Sequence, residues 1–439
     1  MKAGFAQFDV TPLEGFMPGE GLPFWARGEA RCPLFANAAA FAGEKETVIL
    51  VSLDALSLSS KRADELRARI SAETGVPASH VLLAATHTHT GASSYDENSG
   101  APGEPFVAKY TDNGVVKVAV EAFRNMTEGF SLGTGKGEEK RMSFNRDCIL
   151  DDGTIRSIPG KANKDRIVGY LGEVDYDVHV MRVDGADGKP AAFIVNYANH
   201  PDNDNTRRTH FSSDFPGFLR QNLQEIYGKD TVVLFLNGAC GDVNAYNYKS
   251  GVSEAYAAKE TYMPEEIGKL LTETVLSINK NIKTYACTPD VRALSRVETY
   301  QKRIPAAWET EAALATKARE EAGERLYGGE RRIMNAILSF DSSAPRTMDM
   351  ETVAARIGDW TILTVPGELY TEIGLAMKAV APEKKILVSE QTNGSVGYIP
   401  PDSTLGTTAY GGRYYAGTTG LGTKDKMVAA AKALMEKLG

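Results

Sequence analysis

The chain has 439 residues, 42% hydrophobic and 24% charged, enough length for a large buried core and the composition of an ordinary soluble globular protein. A formal net charge of -8 argues against a nucleic-acid footprint and against attraction to an anionic membrane surface. No run approaches the roughly 18 consecutive apolar residues of a transmembrane helix.

The opening, Met1 to Val10, lacks the apolar core of a signal peptide and reads as a first strand. Thr47 to Asp54 is a second apolar, β-branched run, followed by a helix from Ser60 to Thr74 with Leu66 and Ile70 on one face. Val81-Leu82-Leu83 comes next. Asp177 to Val183 and Ala192 to Tyr197 flank a Gly/Asp/Pro-containing turn and read as a hairpin. Thr231 to Leu236 and Thr361 to Val365 are near-continuous apolar runs, as expected of strands covered on both faces. Arg303 to Arg332 is rich in Ala, Glu and Arg and reads as a solvated helix or helical hairpin inserted in the domain. A helix from Lys424 to Leu438 closes the chain. The alternation predicts an α/β fold, a mixed β-sheet core flanked by helices, with no internal repeat. Cys32, Cys148, Cys240 and Cys287 show no CxxC spacing and read as buried thiols in a reduced, cytoplasmic setting.

Polar, glycine-framed motifs stand where these runs end. The Val81 run leads into Thr86-His87-Thr88-His89-Thr90-Gly91, which holds two of the six histidines. If the strand continued through them, residues i and i+2 would share a face, and both imidazoles would project together. Such a pair suits a metal ligand beside a proton-transfer group. Asn199-His200-Pro201 follows the hairpin, Gly238 to Asn244 follows Leu236, Pro366-Gly367-Glu368 follows Val365, and Asn393 to Tyr398 follows the Lys385 run. Ligands in open α/β sheets sit beyond strand carboxyl ends, so one convergent site is expected there. Each motif also has a plain explanation: loop histidines with satisfied hydrogen bonds at His87 and His89, a capped imidazole at His200, a helix-terminal carboxylate at Glu368, a tight turn at Gly238, a packing ring at Tyr398.

Taken in order, these motifs, with Gly4 to Pro12, Asn145-Arg146 and Arg413-Tyr414, resemble the catalytic domain of the neutral/alkaline non-lysosomal ceramidases. The resemblance spans nearly the whole chain. It implies a single ceramidase-like catalytic domain over residues 1–439, with a helical insertion at about 300–335 and without the family's C-terminal Ig-like domain. It also implies one Zn2+ held by His87, His200, Glu368 and Tyr398. Two imidazoles and a carboxylate are independently a sensible open zinc set. By the same resemblance, His89 is the proton-transfer group beside the metal-bound water and Tyr414 the oxyanion donor. The spacing after Tyr398 is longer than in the family, which leaves Tyr410 and Tyr415 as alternatives. Asp54 and Asp242 are the carboxylates expected to orient a ligating imidazole, or else simply to cap turns; Asn145 and Arg146 are expected nearby. Neither carboxylate reaching His87, His89 or His200 would remove them from that role.

One departure matters. Gly241-Asp242-Val243-Asn244-Ala245-Tyr246 replaces the family's Gly-Asp-Val-Ser-Pro-Asn, so the family's serine is absent while all four ligand types remain. That favours attack by metal-bound water on an amide or ester. Without the Ig-like domain, a secretion signal or an evident lipid-facing segment, a small, polar substrate is expected rather than ceramide; Asp202, Asp204, Arg207 and Arg208 either put charge near the pocket or form a solvated loop. The competing readings are a non-catalytic metal or small-molecule binding protein on the same fold, an enzyme of another class using the same metal, and a true ceramidase.

Overall fold

Thr47–Leu53 shows how the strands of this chain are made. Its β-branched, apolar residues alternate between two cores: Val48 and Leu50 face one, Ile49, Val51 and Leu53 the other. A strand buried on both faces needs no polar residue, which explains the unbroken apolar run. The computed structural model describes residues 1–12, 14–17, 24–27, 29–91, 104–204, 210–247, 262–286 and 289–439. Arg207, Arg208, Cys287 and most of the Asp96 to Phe106 loop lie outside the described residues.

Three four-stranded sheets dominate the described residues, and each is built in the same order. In the first, Lys2–Asp9, Phe35–Ala42 and Thr47–Leu53 form an antiparallel meander. Helix α1 (Ser60–Thr74) then crosses to Val81–Ala85, which pairs parallel with Thr47–Leu53, and α2 (Glu104–Arg124) follows. Helix α1 begins at the side-chain cap of Ser59 and stops at Gly75, whose φ of 75° suits a left-handed C-cap. In the second unit the meander is Ser131–Glu138, Asp177–Asp184 and Pro190–Tyr197; α3 (Asp214–Tyr227) leads to the parallel strand Val232–Asn237, then α4 (Pro264–Asn279). The third begins with Val291–Gln301. A helical pair, α5 (Ala307–Glu321) and α6 (Gly328–Leu338), separates that strand from Thr347–Ile357 and Trp360–Thr364. Helix α7 (Thr371–Lys378) leads to the parallel strand Lys385–Ser389, and α8 (Thr423–Leu438) ends the unit.

The expectation of no internal repeat is therefore corrected: strand-strand-strand-helix-strand-helix occurs three times, in sequences too diverged to show it. The α/β class holds, with the mixed sheet present in triplicate. One face of every sheet meets the others in a shared core that includes Phe41, Leu50, Met181, Leu234, Val353 and Trp360. Each outer face is covered by its own helices, with Ile70 and Val118, Phe215 and Leu271, or Ile373 and Leu434. The parallel strands of the three units end close together. Glu390 N–H, after the third, donates to Asn237 at the end of the second (3.0 Å), and Ala85 N–H, in the first, donates to Gln391 (3.0 Å). Cys32, Cys148 and Cys240 are buried free thiols. No described helix is long and apolar enough to cross a membrane.

Candidate metal centre

The strand before the His87 motif ends at Ala85, two residues short of the first histidine. Alternation along a strand therefore does not pair the imidazoles. His87 instead takes a left-handed conformation (φ 71°), and the resulting turn leaves its ring centroid 5.1 Å from that of His89. A non-glycine residue in this region costs of order 1–3 kcal/mol and persists only where its surroundings impose it. Here His87 N–H donates to Ala55 and His87 Nδ1 meets the carbonyl of Leu56 at 2.7 Å.

His200 comes from the loop after Pro190–Tyr197, and its Nδ1 faces the carbonyl of Cys240 at 3.1 Å. In its neutral form each imidazole thus carries its proton on Nδ1, toward a carbonyl, leaving Nε2 as a lone pair. The two Nε2 atoms stand 3.1 Å apart, and Glu368 Oε2 lies 3.3 Å from His87 Nε2 and 3.7 Å from His200 Nε2. Three acceptor atoms converge. A shared proton relieves one of these contacts, whereas a cation relieves all three. Four-coordinate ions with bonds of about 2.0–2.2 Å hold ligand atoms about 3.3–3.5 Å apart, so the donor set fits such an ion. His89 adds a third imidazole, its ring 5.1 Å from that of His200, and the three histidines together form a group able to hold a metal.

Glu368 and Tyr398 are cross-strand neighbours in a two-stranded parallel bridge, Glu368–Leu369 beside Tyr398–Ile399. Gly241 lets the preceding turn approach: a Cβ there would lie 2.8 Å from the Glu368 carbonyl. Tyr398 is buried, and Arg146 Nη2 donates to its hydroxyl (2.8 Å) and to the Gly241 carbonyl (2.6 Å). All four residues assigned to the metal by sequence come together here, with Arg146 and His89 beside them.

The charges respond to this crowding. Burial pushes the His87 pKa down, yet Glu368, Glu390 and the Leu56 carbonyl together more than offset it and the net direction is up. His200 goes well below the usual histidine value because of burial, then Arg146 and the other two imidazoles. Burial drives the Tyr398 phenol well above its ordinary value, with Arg146 pulling the other way. Behind the site, Glu390 accepts from Cys240 N–H (3.1 Å) and Leu369 N–H (2.8 Å), and its burial raises its pKa to about 7. The sequence reading missed Glu390; its place directly after the Lys385–Ser389 strand was the available signal.

Two expectations are corrected. Neither Asp54 nor Asp242 touches His87, His89 or His200. Asp54 takes Phe35 N–H (2.8 Å), Thr86 Oγ1–H (3.2 Å) and Arg220 (2.8 Å), while Asp242 takes Asn145 Nδ2–H and the N–H and hydroxyl of Thr371, each at 2.8 Å. Backbone carbonyls do the orienting instead, an equally serviceable partner for a ligating imidazole. Asn145 accordingly ties the Gly241–Asp242 turn in place rather than meeting the cavity. Second, Tyr414 does not line the cavity. Its N–H donates to Glu309 of α5 (2.6 Å) and its ring packs edge-on to Phe340 (centroids 5.9 Å). Tyr410 and Tyr415 do line it, their centroids 5.6 Å apart, and Tyr410 lies 5.3 Å from Tyr398. Asp202 also lines the cavity, whereas Asp204 is buried and paired with Arg31.

The cavity measures about 500 Å³, within the usual range for a small-molecule site. Its walls include His89, Arg146, Glu368, Tyr398, Ile158 and, from the helical pair, Arg332 and Ala336 of α6.

No protein-family model matches this chain, and no curated protein matches it. Among solved structures it is similar to the neutral ceramidase of Pseudomonas aeruginosa, at a TM-score of 0.71 and 18% identity over 99% of this chain and 74% of that one. A second structure, a ceramidase complexed with C2, matches at a TM-score of 0.71 and 16% identity, covering 99% of this chain and 75% of the other. The protein is thus an α/β protein of three repeated units, and its fold is that of the neutral ceramidases.

Proposed function

We propose that this protein is a zinc-dependent hydrolase cleaving an amide or ester bond in a small-molecule substrate. Residues 1–439 act as one catalytic domain, with α5 and α6 as an insertion in the third unit. The observation that carries the reading is the convergence of His87 Nε2, His200 Nε2 and Glu368 Oε2, with Glu368 lining a cavity that also holds His89 and Arg146. The shared ceramidase fold supports it.

His87, His200, Glu368 and Tyr398 would hold the ion, and zinc is the choice for two imidazoles with a carboxylate. A bound zinc supplies a polarised carbonyl and a water acidified toward pKa of about 7. His89 takes a proton from the attacking water and returns it to the leaving group, work worth roughly 10²–10⁴ in rate. Arg146, nearly all buried, holds the Tyr398 hydroxyl and favours its ionised form. Tyr410 or Tyr415 replaces Tyr414 as the donor to a developing oxyanion, because these two rings face the cavity.

The test pairs elemental analysis with a substrate screen. About one zinc per chain and turnover within a panel of N-acyl compounds, esters and lactones is the expected result. Zinc without turnover would favour a binding protein on the same fold. Including a short-chain ceramide addresses the reading that the fold likeness favours, a true ceramidase.

A further inference from the structure

The site described above accounts for one side of the cavity; the other side carries Arg332 and Arg413, which the mechanism does not use. We infer that the substrate carries a carboxylate, recognised by Arg332 and Arg413 at the face formed by the helical insertion. This rests on the hydrolase reading for the reaction but not for the binding.

Three guanidinium groups line the cavity (Arg146, Arg332 and Arg413) against two carboxylates, Asp202 and Glu368. Glu368 faces His87 and His200, so its charge is engaged on the imidazole side. Arg332 is exposed, on α6, and has no hydrogen bond or ion pair among the described residues. Arg413 gives Nε–H and Nη2–H to the Thr408 carbonyl, at 3.2 and 3.0 Å, which fixes its plane; the buried carboxylate of Asp147 interacts with Arg413 electrostatically but makes no hydrogen bond to it. Arg413 also lines a smaller cavity between α5 and α6, so both arginines belong to the insertion side. Arg146 is 5% exposed, and its Nε is buried without a hydrogen-bond partner among the described residues. Guanidinium forks match the planar carboxylate, and a partly enclosed site strengthens the attraction relative to bulk water.

An apolar contact completes the picture. Ile158 lines the same cavity, is 46% exposed and is held in the left-handed region at φ 53°. A β-branched residue rarely sits there, and its backbone N–H is fixed on the Arg146 carbonyl (3.0 Å). The wall thus offers an apolar patch beside cationic groups, suited to an amide with a short apolar chain and one anionic end.

Calorimetry on the whole protein, with and without zinc, tests this with two matched pairs. N-hexanoylglycine against N-hexanoylglycinamide puts the charge on the amine side; N-propylglutaramic acid against its carboxamide puts it on the acyl side. In at least one pair the acid should bind roughly tenfold tighter than its neutral partner, in zinc-free protein too, and Arg332→Gln or Arg413→Gln should remove roughly that factor. Neutral and acidic partners binding alike would overturn the inference. So would an acid preference that vanishes without zinc or survives both substitutions, since the anion would then sit on the ion. Turnover of both partners at equal efficiency would overturn the inference and leave the hydrolase standing. Arginine-dependent acid binding with no turnover of any compound would do the reverse.

Discussion

The imidazole side of the cavity and its arginine side are built by different means. On the first, His87 and His200 are each 1% exposed, and both Nδ1 atoms are held by backbone carbonyls. The loops carrying them are tied to the ends of strands from all three units. On the second, Arg332 projects from an inserted helix and is exposed, and Ile158 is nearly half exposed. The difference separates two demands. Groups that react need positions fixed within fractions of an ångström, which buried backbone supplies. Groups that select a substrate need only the right charge and shape, which an insertion can supply without disturbing the strands beneath.

The sharpest attempt to break that contrast is His87→Ala beside His89→Ala. The first should lose zinc and activity together. The second should keep near-stoichiometric zinc while kcat falls about 10²–10⁴-fold, as for loss of a proton-transfer group. Elemental analysis and turnover on both variants decide it. Equal zinc loss would make His89 a third imidazole ligand and Tyr398 the weakest member of the set.

Next in size is the buried support under the imidazole side. Asp54→Ala leaves Arg220, itself 3% exposed, without its carboxylate, and breaking a buried pair costs about 3–5 kcal/mol. Denaturant unfolding should show that loss, whereas the exposed Arg332→Gln should stay within about 0.5 kcal/mol of wild type. Similar losses for both would remove the distinction between the two sides.

A smaller effect separates the tyrosines. Removing one hydrogen bond to a charged group costs about 1.5–3 kcal/mol, so Tyr410→Phe or Tyr415→Phe should lower kcat roughly tenfold or more. Tyr414→Phe should leave kcat near wild type, because its ring faces Phe340. A large loss only at Tyr414 would restore the assignment that the family resemblance implies.

The smallest effect concerns Asp214, which takes Asn203 and Asp204 N–H groups (2.8 and 3.0 Å) and so braces the loop after His200. Burial raises its pKa from 3.8 to about 6 despite these donors. The folded protein binds this proton more tightly than the unfolded chain does. Its contribution to stability is therefore complete below about pH 4 and is lost as pH rises through about 6. Relative to wild type, Asp214→Asn should gain about 1–3 kcal/mol between those limits, measured by unfolding at successive pH values in zinc-free protein. A flat difference would mean the carboxylate is not desolvated.

Much of this was legible in the residues. The Ser60 to Thr74 helix, the hairpin and the runs ending at motifs follow from periodicity and turn chemistry, and the polar residues at four run ends were enough to foresee that His87, His200, Glu368 and Tyr398 come together. The threefold repetition was not, because the units share an order of elements and no spacing of residues. Strand Val291–Gln301 escaped notice because the half-buried charged residues Arg292, Arg296 and Glu298 break its apolar run. The carbonyls of Leu56 and Cys240 could not be foreseen, since every residue has one and only the fold selects two. Tyr410, Tyr414 and Tyr415 are equivalent in sequence; the Tyr414 backbone is held by Glu309, more than a hundred positions earlier, and its ring packs on Phe340.

The wide scatter of the four converging side chains has a temporal consequence. His87 and Tyr398 stand more than three hundred positions apart, and Tyr398 belongs to the last tenth of the chain. Contacts so distant in sequence form late. A nascent chain emerging in order would carry its histidines long before it could complete the binding set. An ion held by all four residues would therefore be locked in place only once the third unit has formed.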